Sequence, residues 1–186
     1  MELNELLSAH REYYINHFND FLTKSEKGAS ELLLEIKNEE PEELFRLYRY
    51  DLVYTINDEH NIAEFNTDGF LKHDEISYSA GHKTLYILPI AWNGIEIWVD
   101  MFSQFDSLKN WVNKWIDLND INEPDENGFL GVIHNITKPT KDKKDNITFS
   151  VDLGTAPIES AIELINILLE DKTTSEIRLE SKWLTG

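Results

Sequence analysis

Thr84-Leu85-Tyr86-Ile87-Leu88-Pro89-Ile90-Ala91-Trp92-Asn93-Gly94-Ile95-Glu96-Ile97-Trp98-Val99-Asp100-Met101-Phe102 is the stretch whose reading decides the fold. Ile95, Ile97 and Val99 alternate with Glu96, Trp98 and Asp100, the period-two pattern of a strand with one buried face. Asn93-Gly94 favours a tight turn whose central residues take positive φ. The expected element is a β-hairpin, Thr84 to Trp92 paired with Gly94 to Phe102.

Upstream, the period changes at Tyr50. Leu52, Tyr54 and Ile56 alternate with Val53 and Thr55, a strand that ends at Asn57-Asp58. Asn61–Phe65 and Ile76–Ser79 read as weaker strands around the turn sequence Asn66-Thr67-Asp68-Gly69. Before Tyr50 the pattern is helical. Between Glu2 and Lys24, Leu3, Leu6, Leu7, His10, Tyr13, Tyr14, Phe18, Phe21 and Leu22 recur at three-and-four spacing. Ser30 offers an N-cap to a short helix carrying Leu32, Leu33, Leu34 and Ile36. Glu39-Glu40-Pro41-Glu42-Glu43 suits another helix start, with Leu44, Phe45, Leu47 and Tyr48 as its apolar face. Residues 1–49 are therefore expected to be helical.

Downstream, Asp106 or Ser107 is the expected cap of a helix bearing Leu108, Trp111, Val112, Trp115 and Ile116. An acidic loop, Asp117–Gly128, follows. Phe129–Thr137 and Asn146–Leu153 read as strands around the lysine-bearing loop Lys138–Asp145. Pro157 opens a helix through Glu170, and Ser175–Glu180 is a short closing strand. A run of strands followed by mixed elements predicts an α+β domain, with residues 50–186 holding an antiparallel or mixed central sheet. The N-terminal helices and two further helices pack on it. No linker or repeat divides the chain, so one domain is expected.

The 186 residues carry 35 Asp+Glu against 17 Lys+Arg, a formal charge of -18. With 41% hydrophobic residues, including 9 Phe, 7 Tyr and 5 Trp, the chain can still fill a core. Such an anionic domain repels phosphate backbones, which argues against nucleic acid as a direct ligand. The absence of cysteine excludes disulfides, thiolate metal sites and a cysteine nucleophile. Met1-Glu2-Leu3-Asn4-Glu5 lacks the basic and apolar regions of a signal peptide, and the uncharged stretch Thr84–Ile95 is too short to span a bilayer. No membrane association and a cytoplasmic location are the expectations.

Motifs for chemistry are few. His10 and His17 lie roughly on one helix face, but no acidic residue completes a zinc pattern. Read as an EF-hand from Asp117 or from Asp120, the acidic loop places Ile121 or Pro124 where an oxygen ligand is needed. Ser77-Tyr78-Ser79-Ala80-Gly81-His82 lacks the first glycine of a nucleophile elbow. Asp152-Leu153-Gly154-Thr155 reads as a strand end and a glycine turn before the Pro157 helix. No catalytic, cofactor-binding or metal-binding residue is predicted, and the expected protein is not an enzyme.

The charge is unevenly spread. Residues 1–80 hold 18 acids and 7 bases, whereas residues 138–186 hold 9 and 7. Anionic surfaces speed association with cationic partners. The predicted partner-binding residues are therefore Asp117, Asp120, Glu123, Asp125 and Glu126, with Glu39, Glu40, Glu42 and Glu43 as a second patch. The phrase Phe149-Ser150-Val151-Asp152-Leu153-Gly154-Thr155-Ala156-Pro157, with the helix Ile158–Leu169 and the strand Glu176-Ile177-Arg178-Leu179, resembles the C-terminal unit of bacterial immunity proteins of contact-dependent and polymorphic toxin systems. That resemblance implies a partner: a cognate toxin domain, bound and blocked at its active site or an adjacent surface. The charge suits a basic, nuclease-like toxin. Two other readings stand beside it. One is a regulatory or adaptor module using Trp92, Trp98 and Trp183 as exposed anchors; the other is a hydrolase in which His82, Asp100 or His134 converge.

Overall fold

The computed structural model describes residues 2–35, 43–67 and 69–181, which form three α-helices and ten strands in a single α+β domain. Helix α1 (Leu3–Lys24) leads into β1 (Gly28–Glu35), and a single 3-10 turn (Glu43–Arg46) precedes β2 (Leu47–Ile56) and β3 (Glu59–Ala63). Next come β4 (Ile76–Ala80), β5 (Lys83–Ile87), β6 (Ile95–Val99) and α2 (Phe105–Trp115). The chain closes with β7 (Asn135–Ile136), β8 (Thr140–Lys141), β9 (Ile147–Asp152), α3 (Ile158–Glu170) and β10 (Glu176–Glu180).

Strands β5 and β6 form where the alternation places them, but not as a hairpin. The C-terminal strand β10 lies between them, parallel to β5 and antiparallel to β6, in the order β4-β5-β10-β6-β9-β7, with β8 on β9. The turn after Ala91 is real, with Gly94 N donating to Ala91 O at 3.0 Å, yet neither Asn93 nor Gly94 takes positive φ. Alternation fixes which face of a strand is buried and says nothing about which strand lies beside it. The face assignment stands. Leu85 and Ile87, Ile95 to Val99 at odd positions, Ile147 to Val151 at odd positions, and Ile177 and Leu179 all point into one core. Helices α1, α2 and α3 cover it.

The N-terminal third is helical only over α1. There Glu2 and Glu5 make a reciprocal capping box, and Leu6, Leu7, His10, Tyr14 and Phe18 form the buried stripe. The expected helix after Ser30 is strand β1, and the expected helix through Tyr48 gives way to the 3-10 turn and β2. Three consecutive leucines and a glutamate carry no usable period, so the long antiparallel pairing of β1 with β2 decides the conformation. Asn57 and Asp58 both take positive φ and close the β2–β3 hairpin, giving a three-stranded sheet β1-β2-β3. Of the predicted strand Phe129–Thr137 only β7 forms.

Two polar clamps set the helices. Asp171, buried at the end of α3, accepts from Ser103 N (2.6 Å), Ser103 Oγ (2.9 Å) and Gln104 N (2.9 Å), so it fixes the chain entering α2, whose N-cap is Gln104, without a side-chain cap bond, and not Asp106 or Ser107. Buried Lys83 donates to the carbonyls of Leu169 and Asp171, terminating α3. Arg11 fastens α1 to the start of α3 by donating to Ala156 O (2.8 Å) and Thr155 O (2.9 Å).

Candidate functional site

The β1–β2 pairing, through Ser30–Leu52 and Leu32–Tyr50, brings two buried carboxylates, Glu31 and Asp51, to the same level of the sheet. Glu31 reaches inward through a left-handed backbone, φ 55°. Between these carboxylates lies His134, from the segment leading into β7, fixed by Arg49 N donating to its carbonyl (2.8 Å) and by its own N–H donating to Asp152 O (3.0 Å). Its Nε2 is 2.9 Å from Glu31 Oε1. Its Nδ1 is 2.9 Å from Asp51 Oδ1 and 3.9 Å from Asp152 Oδ2, with neither acceptor aligned for a directed hydrogen bond. One imidazole thus faces three carboxylates.

The supports of this cluster are specific. Glu31 also accepts from Leu130 N (2.7 Å) and from Thr155 Oγ1 (2.5 Å), so its oxygens are satisfied. Asp51 Oδ2 accepts from Phe65 N at 2.6 Å, and Asp152 Oδ1 from Gly154 N at 2.8 Å. Gly154 sits at φ 49° directly against the imidazole, where a Cβ would come within 2.2 Å of His134 Cδ2. The phrase Asp152-Leu153-Gly154-Thr155 is therefore more than a strand end: three of its four residues build the site.

Asp51 and Asp152 line the wall of a cavity of about 330 Å³, with Glu64 beside them and Tyr48, Phe65, Asn66 and Asn93 completing its walls. The electrostatics follow from crowding. Burial opposes a charge on His134, but Asp152, Asp51 and Glu31 outweigh it and raise its pKa well above 6.5, which favours the protonated ring. Burial and then Asp51 push Glu64 up to about 7, although much of its surface remains in water. Burial chiefly, with Asp51 and Glu31 adding to it against His134, pushes Asp152 up to about 7. Burial and the same acids raise Tyr14, whose hydroxyl is buried without a hydrogen-bond partner. The arrangement can hold and release protons near neutrality and present negative charge to a concave surface.

The predicted acidic patch divides. Asp117 is buried and faces Arg49, whose guanidinium donates to the carbonyls of Ile116 (2.8 Å), Glu31 (2.8 Å) and Asp117 (3.0 Å). Asp120 pairs with the same guanidinium at 3.0 Å. Asp125 organises its own loop by accepting from Asn127 N (2.8 Å) and Phe129 N (3.0 Å); burial opposes its charge, but the bonds from Phe129, Asn127 and Gly128 together lower its pKa. Glu123 and Glu126 are exposed, as is Ile121 at 73%. Glu39, Glu40 and Glu42 lie outside the described residues, as does the Glu43 side chain; Trp183 lies outside them too.

Trp92 is not an exposed anchor: it is buried, with Nε1 donating to Gly154 O at 3.1 Å, while Trp98 is half-buried on the outer sheet face. His82, Asp100 and His134 do not converge. Asp100 follows one end of β6 and holds Ser175, whereas His134 lies by the other end, where Ile95 pairs with Val151. His10 meets His73, not His17, with ring centroids 5.2 Å apart. Among the described residues no group of three or more His, Asp or Glu is arranged to hold a metal ion, and no helix is long and apolar enough to cross a membrane. Neither Glu31 nor Asp51 is marked as internal by local sequence: Glu31 falls in a stretch whose pattern reads as helix, and Asp51 on the side of a strand pattern opposite Leu52, Tyr54 and Ile56. The available signal was a charge at an inward position, at Arg49 and Asp51 of one strand.

No family model, curated protein or solved structure matches this chain.

Proposed function

We propose that this protein is an immunity protein that binds a basic, nuclease-like toxin domain and neutralises it by covering its active site or an adjacent surface. The observation that carries the reading is the cavity lined by Asp51, Glu64 and Asp152, with Glu64 exposed at its mouth and the imidazole of His134 buried behind Asp51 and Asp152. Carboxylates in excess of their internal counter-charge, gathered on a concave surface, favour a cationic partner. Two neighbouring features suit a protein over a small ion. The β1–β2 register puts Leu32, Leu34, Tyr48 and Tyr50 on one sheet face, with Leu32 and Leu34 exposed and the tyrosine rings 4.9 Å apart. Exposed Leu118 and Ile121 stand among the acids of the 117–126 loop. Apolar anchors ringed by charge are the anatomy of a protein interface.

The test is co-expression with a candidate basic toxin domain, sought in the gene neighbourhood of this protein. Growth rescue, together with a complex that survives gel filtration and weakens with salt, is expected. Absence of both rescue and complex overturns the reading and leaves a regulatory module as the account of the same surfaces.

A further inference from the structure

A separate cleft lies against α2. Phe45, Phe105, Leu108 and Pro139 wall a volume of about 140 Å³, with Lys109 and Lys138 completing it. Phe105 also walls a second cleft of about 220 Å³, with Met101, Phe102 and Ile147. Met101 is 48% exposed and Phe105 38%, so apolar surface stands open to water here. The charge around it runs against the sign of the chain. Residues 138–144 hold four lysines, Lys138, Lys141, Lys143 and Lys144, against one acid, Asp142, and all five are exposed. Lys141 is paired with Asp145 at 2.9 Å, whereas Lys109 makes no ion pair among the described residues.

The complement of this cleft is on the chain itself. Ile121 stands out from the 117–126 loop at 73% exposure, the highest of any large apolar side chain among the described residues. The loop that carries it is ordered. Asp117 and Asp120 take left-handed backbone, Asp120 N donates to Asp117 O at 2.9 Å, and Asn122 donates to Asp117 Oδ2 (2.9 Å) and Leu130 O (3.1 Å). An apolar side chain on a fixed loop loses little further freedom when a partner covers it. Asp117 and Asp120 are spent on Arg49, and Asp125 on the loop itself. Exposed Glu123 and Glu126 remain close in sequence to Ile121, free to meet a cation.

We infer that the chain self-associates by seating Ile121 of one copy in the Phe45–Phe105–Leu108–Pro139 cleft of another, with Glu123 and Glu126 meeting Lys109 and the lysines of 138–144. The inference goes beyond the immunity reading and does not rest on it. Size and charge both match. An apolar cavity of about 150 Å³ takes a benzene-sized group, so the cleft suits one branched aliphatic side chain. The net charge of -18 opposes self-association, but at physiological ionic strength charges more than about 8 Å apart are largely screened, and the local pairs prevail. Loop and cleft are different patches. Two copies that exchange loops about a two-fold axis close the assembly, and any other rotation extends it.

The test is sedimentation velocity on the whole protein in physiological salt, from micromolar to near-millimolar concentration, with amide NMR over the same range. The average mass should rise above that of the monomer. Shifts at Ile121 and at Phe105, Leu108 and Lys109 should follow concentration with one midpoint. Ile121→Ser should weaken association about tenfold, by loss of the buried aliphatic group. Lys109→Glu should weaken it as well, and both variants should keep the urea midpoint of wild type. Association that falls with one variant and not the other, or shifts confined to one of the two patches, overturns the pairing of loop with cleft. A chain that stays monomeric at every concentration overturns the inference outright and leaves the cleft to an acidic segment of a different protein.

Discussion

His134 Nε2 and Glu31 Oε1 meet at 2.9 Å where β1 and the segment entering β7 come together, and both side chains are shut away from water. A buried ion pair adds little over a well-packed apolar pair, but removing one partner strands the other charge. Glu31→Gln and His134→Gln should each lower stability by about 3–5 kcal/mol in urea unfolding, and Glu31→Leu combined with His134→Phe should cost less than the two singles together. Single variants within about 1 kcal/mol of wild type would show that the pair is not an internal charge contact in solution.

The pH dependence has a defined direction. For His134 the folded pKa is raised, so its contribution is fully present below its unfolded value of 6.5 and is lost as pH rises through the folded value. Asp152 and Glu64, raised from 3.8 and 4.5 to about 7, hold protons in the folded state that the unfolded chain has already released. Their contribution is therefore also present at low pH and fades as pH climbs toward 7. Asp171 acts oppositely. Burial works against its charge, but bonds from Thr173 and Ser103 hold it down at about 2, so its contribution is lost as pH falls from about 4 toward 2. Unfolding midpoints should peak on the acidic side of neutrality, near pH 5, and decline toward pH 8. Asp152→Asn, which keeps an acceptor for Gly154 N, should flatten that decline. A midpoint that rises from pH 5 to 8 would contradict the assignment of protons.

Gly154 tests how closely the site is packed. Its φ of 49° costs an L-residue about 1–2 kcal/mol. A methyl there would also strike His134 Cδ2 at 2.2 Å and Val132 O at 2.7 Å, an overpacking cost of about 1–3 kcal/mol. Gly154→Ala should therefore destabilise by about 2–5 kcal/mol and shift the His134 ring resonances. Gly131, also at positive φ but with open space beyond it, is the control: Gly131→Ala should show the backbone cost alone.

What the sequence made legible follows from how local each signal is. Ile95, Ile97 and Val99 announce their face because alternation is a property of one strand, and the stripes of α1, α2 and α3 do so for the same reason. The neighbour of β6 is a property of the whole chain: β10, some eighty positions later, takes the place the Asn93-Gly94 turn assigns to β5. The site is non-local in the same way. Glu31, Asp51, His134 and Asp152 come from four segments, and no spacing rule links them. Acidity gave the sign of the surface charge, but the same excess hid which acids are internal, as Asp117 shows.

That distinction governs the last prediction, which concerns the 117–126 loop. Asp117 and Asp120 neutralise Arg49, whose side chain is fully buried where β1, β2 and the end of α2 meet. Asp117→Lys should cost several kcal/mol, on the order of 3–5, because it opposes a buried cation with a second one. Asp120→Lys, at an exposed position, should cost less but still measurably. Glu123→Lys and Glu126→Lys are fully outside this clamp, and should leave unfolding within about 0.5 kcal/mol of wild type. Only these two report cleanly on a partner. With the toxin domain in hand, they should slow association and reduce its salt dependence while leaving the urea midpoint in place. Unchanged association rates at low salt would remove the loop from the interface and move the acidic contact to the Asp51–Glu64–Asp152 cavity or to the Glu39, Glu40, Glu42 and Glu43 patch.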